Sequence, residues 1–202
     1  MMASYYDIKE EENFSGFFNG TYIGKYPTSE KNRYYILNFN FSMLRTDNKD
    51  ELEESFTLAV KDGLNKFEKT YDLKVDYEKD TFVSSMFNSF LSSVRFMIDK
   101  PIYVIIDEYD HFANELLSFN TSLFSEIVSK TGFVRKWYEA LKVGTETIIK
   151  RIFATGVSPI TLDSLTSGFN IGDDITRNEE FNEMMGFTEL EVAEIIDKTV
   201  VK

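Results

Sequence analysis

The sequence predicts an α/β fold, a three-layer open parallel sheet with helices on its faces. Residues 102–106 (Ile-Tyr-Val-Ile-Ile) form a continuous apolar run rich in β-branched side chains. Such runs are strands buried on both faces, and they belong to parallel sheets covered by helices. The run stops abruptly at two carboxylates, Asp107 and Glu108. Strand patterns also alternate with helical patterns along the chain, the order that produces parallel strands.

Taken in order, residues 1–6 begin as a helix and lead into Phe14, Phe17 and Phe18. Residues 24–33 are polar, contain Pro27, and are expected to be a loop. Residues 34–41 (Tyr-Tyr-Ile-Leu-Asn-Phe-Asn-Phe) are a strand candidate of aromatic and branched residues. Residues 48–70 place Leu52, Phe56, Ala59, Val60, Leu64 and Phe67 at helical spacing, and residues 80–97 repeat the pattern with Phe82, Val83, Met86, Phe90, Val94 and Met97. The strand at 102–106 follows. Residues 107–120 are expected to be a polar loop with short helical stretches, and residues 123–143 one long helix carrying Trp137. Residues 148–155 are a further strand, and residues 164–168 a turn. A last helix starts at 187–191, where Thr188 and Glu191 have the spacing of a capping box. The expected division is a core over 1–186 and the start of a helical lid over 187–202.

Composition narrows the function classes. Net charge is −12, from 22 basic and 34 acidic residues. This opposes non-specific nucleic-acid binding, which needs clustered Lys and Arg to neutralise phosphates. There is no cysteine, so disulfides and thiolate metal sites are excluded. No apolar stretch approaches the about 20 residues that span a bilayer, and no signal peptide opens the chain. The expected setting is the cytoplasm, without membrane attachment. With no Cys a Cys-His constellation is excluded, and no Ser-His-Asp constellation is proposed around the single His.

A strand ending in Asp107-Glu108 points carboxylates out of the carboxyl end of a sheet, where ligands of α/β folds bind. Two acidic residues there also suit a plain helix cap or loop start. The arrangement resembles the Walker B element of P-loop ATPases, in which the Asp helps hold Mg²⁺ and the Glu orients the attacking water. The complementary Gly-rich loop ending in Gly-Lys-Ser or Gly-Lys-Thr does not occur in residues 1–202. Gly20-Thr-Tyr-Ile-Gly24-Lys25-Tyr26 imitates one. Its spacer is one residue short, Tyr26 replaces the metal-binding Ser/Thr, and no buried strand precedes it.

Four segments, in the family's order, resemble the AAA-ATPase-like family of bacterial P-loop NTPases. They are Ala3-Ser4-Tyr5-Tyr6-Asp7 with residues 17–23; residues 34–41 followed by Ser42; Val104-Ile105-Ile106-Asp107-Glu108-Tyr109-Asp110; and Thr155-Gly156-Val157-Ser158-Pro159-Ile160 with Ser167-Gly168-Phe169-Asn170 and residues 186–192. The resemblance implies a sheet of the additional-strand type, with strand 102–106 between strands 34–41 and 149–155. It implies ATP and Mg²⁺ as cofactors of the intact protein. It makes Asp107 the Mg²⁺ carboxylate and Glu108 the water-orienting carboxylate, and it places Thr155 or Ser158 beside the γ-phosphate as a sensor. Tyr109 and Asp110 match the motif without a chemical step of their own. Family members carry the phosphate loop just before the helix that here begins at Met1, and often a nuclease-like domain further on. The chain is therefore expected to be truncated at both ends, lacking the phosphate loop and most of the lid, and to bind ATP poorly or not at all alone.

Two rivals stand beside this reading. One is a non-hydrolysing remnant that acts by self-association or by contacts with another protein. The other is a carboxylate metal hydrolase centred on Asp107, Glu108 and Asp110. His111 among these carboxylates is expected to be a loop residue. Arg135, Arg151 and Arg177 are candidates for arginine fingers but are more simply surface ion-pair groups.

Overall fold

Three parallel strands, β1 (Tyr35–Asn40), β2 (Ile102–Asp107) and β3 (Ile149–Ala154), form a sheet in the order β1-β2-β3. The strand that ends in the acidic pair is thus the central one, as expected. The computed structural model describes residues 1–79, 81–157, 171–181 and 186–200. Residues 1–170 and 171–202 form two separate compact units.

Parallel neighbours need crossovers. Between β1 and β2 these are α4 (Lys49–Tyr71) and α5 (Val83–Val94); between β2 and β3 they are α6 (His111–Phe119), α7 (Thr121–Ile127) and α8 (Phe133–Thr145). Three short helices, α1 (Met2–Tyr6), α2 (Phe14–Phe18) and α3 (Tyr22–Lys25), precede β1. The core on one face joins Leu37, Phe39, Ile102, Val104 and Ile106 of the sheet to Leu52, Phe56, Leu64, Phe87 and Phe90 of the helices. Leu52, Phe56, Val60, Leu64 and Phe67 recur every three or four residues, so one stripe of α4 is buried. Asn48 caps that helix, its side chain accepting from Glu51 N–H at 3.0 Å. The opposite face carries Tyr34, Ile36 and Tyr103, packed by Ala3 and Tyr6 of α1. Helices therefore lie on both faces of the sheet.

Trp137 of α8 sits at the middle of the core, with ring contacts to Phe39, Phe41, Phe56, Phe87 and Tyr138 at 5.0–5.6 Å between centroids. Only the start of the outer edge of β1 is covered, by the N-terminal segment and by Tyr71 of α4. Asp7 bridges Tyr34 in parallel, Ile8 N–H donates to the Tyr34 carbonyl, and Ile36 N–H donates to the Tyr71 hydroxyl at 2.7 Å.

The long helix expected over 123–143 is two helices, α7 and α8, separated at 128–132. The cause is tertiary. A Cβ at Gly132 would lie 1.9 Å from the Ile127 carbonyl oxygen, so the chain folds back on itself where only glycine fits. Gly132→Ala is expected to destabilise the first unit by about 1–3 kcal/mol, as overpacking against backbone does, which a urea titration would measure. The loop expected at 107–120 is mostly α6, and Gly24 and Lys25, expected to open a loop, end α3. The turn expected at 164–168 lies outside the described residues.

The second unit contains α9 (Glu189–Val200). The capping box foreseen at its start is formed: Glu191 N–H donates to Thr188 Oγ1 at 3.3 Å, and Thr188 N–H donates to Glu191 Oε2 at 2.8 Å. These bonds hold the Glu191 carboxyl below its ordinary pKa. Thr188→Ala is expected to lose about 1 kcal/mol of helix stability, seen as fraying of the first turn of α9 by NMR.

Candidate active site

Asp107 is the last residue of β2, paired in register with Asn40 at the end of β1. The ladder continues past both strand ends. Phe41 N–H donates to the Asp107 carbonyl at 3.0 Å, and Thr155 N–H donates to the Ile106 carbonyl at 2.8 Å. Thr155 is thereby fixed beside Asp107, and its hydroxyl donates to Asp107 Oδ1 at 2.6 Å. Among the described residues, the other Asp107 oxygen takes no hydrogen bond, and the side chain is exposed.

Glu108 has φ +56°, in the left-handed region. A non-glycine residue held there costs about 1–3 kcal/mol and persists only where the surroundings impose it. Here the chain must turn from the end of β2 directly into α6. Tyr109 N–H donates back to the Thr155 carbonyl at 3.0 Å, and His111 N–H to the Glu108 carbonyl at 3.2 Å. The Glu108 side chain makes no hydrogen bond or ion pair with described residues and is half-buried. Asp107 and Glu108 therefore stand side by side at the carboxyl end of the central strand. One is oriented by a hydroxyl; the other makes no hydrogen bond or ion pair with the described residues.

Asp110 behaves differently from its acidic neighbours. It is fully buried, with 0% exposure. Both carboxylate oxygens accept from Val157 N–H at 3.0 Å, and Oδ2 also accepts from Asn114 Nδ2 at 2.9 Å. Beneath it lies Tyr138, whose hydroxyl is pushed above its ordinary pKa by burial and then by Tyr109 and Asp110. Asp110 therefore faces inward, away from a metal centre shared with Asp107 and Glu108. No group of three His, Cys, Asp or Glu among the described residues could hold a metal ion, which removes the structural basis of the carboxylate hydrolase reading. His111 is an exposed residue at the start of α6.

The structure thus brings Asp107, Glu108 and Thr155 together. Ser158, the other sensor candidate, lies outside the described residues. Sequence reasoning did not find the parts played by Asp110, Asn114, Gly156 and Val157. The available signal was the four-residue spacing of Asp110 and Asn114 at the start of a helix. The imitation phosphate loop is not one: Gly20 has φ +84°, and residues 22–25 are a single helical turn capped by Thr21, with α2 rather than a strand before it. Arg135 pairs with Glu139 at 3.1 Å and Arg151 with Glu30 at 3.8 Å.

A family model described as Predicted AAA-ATPase matches residues 1–166. The chain belongs to the AAA-ATPase-like family. The match spans both halves of the site, the acidic turn after β2 and the end of β3. Comparison with curated proteins and with solved structures found no match. No helix among the described residues of this AAA-ATPase-like chain is long and apolar enough to cross a membrane.

Proposed function

We propose that this chain is the metal- and water-handling part of an ATPase core, acting in the intact protein on ATP with Mg²⁺. The observation that carries the reading is the pairing at the end of β2: an Asp107 carboxylate oriented by Thr155, beside a Glu108 carboxylate that makes no hydrogen bond or ion pair with the described residues. Mg²⁺ keeps most of its waters and binds through one or two carboxylates plus substrate phosphates. A single exposed, oriented carboxylate fits that chemistry better than it fits an all-protein cage. Asp107 would hold the ion, and Mg²⁺ would supply charge neutralisation at the phosphates. Glu108 would accept a hydrogen bond from the attacking water and orient it. Thr155 would keep Asp107 in its rotamer, and the sensor role proposed for Ser158 rests on the resemblance alone.

Residues 1–202 contain no Gly-Lys-Ser/Thr loop, and on this reading the cradle for the phosphates would be supplied by other sequence. By themselves these residues are expected to bind ATP weakly or not at all. The partners proposed are therefore the nucleotide and, in the alternative reading, another protein or a second copy.

The test is Mg²⁺-dependent ATP hydrolysis by the intact protein. Asp107→Asn is expected to raise the Mg²⁺ concentration for half-maximal turnover by about 10–100-fold, the usual range for loss of a metal-site carboxylate or its support. An unchanged Mg²⁺ dependence would remove Asp107 from the metal site. An intact protein that carries no phosphate loop and does not hydrolyse ATP would favour the protein-contact reading instead.

A further inference from the structure

The loop after β3 is fastened to the acidic turn after β2 at three points. Thr155 Oγ1 donates to Asp107 Oδ1, Tyr109 N–H donates to the Thr155 carbonyl, and Val157 N–H donates to the Asp110 carboxylate. The third point is the most demanding. A buried carboxylate is costly unless its oxygens are satisfied. Asp110 meets this with the Val157 N–H and the Asn114 amide. Gly156 makes the approach possible: a Cβ there would lie 2.3 Å from Asp110 Oδ1 and 2.5 Å from Tyr109 Cε1. The backbone of the loop passes directly over the carboxylate, where no side chain fits.

We propose that Asp110 is a positioning residue. It latches the segment after β3 at the height where Thr155 orients Asp107, so that the metal carboxylate, Thr155 and Val157 are held as one unit. This rests on the ATPase reading for its consequence, though not for its geometry. Asp110 touches no reacting atom; it acts through Val157 and Thr155. A carboxylate is needed because two acceptor oxygens face N–H donors from two directions. An Asn at 110 has one oxygen for Val157, and its own amide would face the Asn114 amide.

The decisive comparison uses the intact protein with Asp110→Asn and with the exchanged pair Asp110→Asn/Asn114→Asp. In the exchanged pair the amide donor and carboxylate acceptor trade places, while the Asn oxygen remains for Val157. Two quantities are read: the hydrogen-exchange rate of the Val157 amide, and kcat and KM for ATP. For Asp110→Asn, Val157 is expected to exchange at least about 10-fold faster, since a bond to a charged acceptor is weakened. kcat should fall about 10–100-fold, as when a supporting partner of a metal ligand is lost, with KM within about threefold. The exchanged pair should recover most of both. If Asp110→Asn frees Val157 yet turns over ATP like wild type, the positioning role is wrong and the ATPase reading stands. If kcat falls only in proportion to the fraction unfolded, so that turnover per folded molecule is unchanged, Asp110 is merely structural. Absence of hydrolysis by the wild-type protein overturns the ATPase reading and the positioning role together, while Val157 exchange still reports whether the latch forms.

Discussion

Glu108→Gln in the intact protein is expected to bind Mg·ATP within about threefold of wild type and to hydrolyse it about 10²–10⁴-fold more slowly, the range for removal of a positioned base. Gln keeps the length and one acceptor oxygen of Glu, so water and nucleotide still enter. It lacks the negative charge that, on the proposed function, would draw a proton from the attacking water. It also meets the same backbone demand, because both residues must hold φ near +56° in the turn. The measurement is steady-state phosphate release beside equilibrium nucleotide binding. Normal turnover would mean that Glu108 does not orient the water. Loss of binding together with turnover would mean that its role lies in holding nucleotide.

The largest effect on stability is expected at Trp137. Its side chain is fully buried against four phenylalanines and a tyrosine. Trp137→Ala leaves a cavity between α8, α4, α5 and β1, and costs about 3–5 kcal/mol. For a chain of this size that lowers Tm by about 6–20 °C. Trp137→Phe is expected to cost much less, because it keeps an aromatic ring and removes an indole N–H that has no hydrogen-bond partner among the described residues. A thermal melt of the three proteins checks the order. Equal Tm values for Trp137→Ala and wild type would show that the aromatic cluster does not carry the core.

What the sequence revealed and what it hid follow from range. β2 was legible because a strand buried on both faces is apolar without interruption, and Ile102 to Ile106 admit no other extended arrangement in a helix-covered sheet. The cap of α9 was legible because Thr188 and Glu191 act across three residues. The order of the strands came from resemblance, since periodicity alone does not say which strands are neighbours. The break between α7 and α8 was hidden because the apolar pattern continues through it; the contact of Gly132 with Ile127 is set by how the chain folds back, not by propensity. Asp107 and Glu108 were conspicuous as charges ending an apolar run. Asp110 was not, because its partner Val157 lies 47 residues away in sequence and nothing local separates a buried carboxylate from a solvated one.

The chain has one tryptophan, and it is fully buried in the first unit. Its fluorescence therefore comes from a single known environment. Tyr138, 5.0 Å away between ring centroids, passes excitation to it and itself lies beneath Asp110. Emission from this indole should be blue-shifted in the native protein and move to the red when the core admits water, without any added dye. The same spectrum taken on the Glu108 and Asp110 variants would separate a protein that has lost its chemistry from one that has lost its shape.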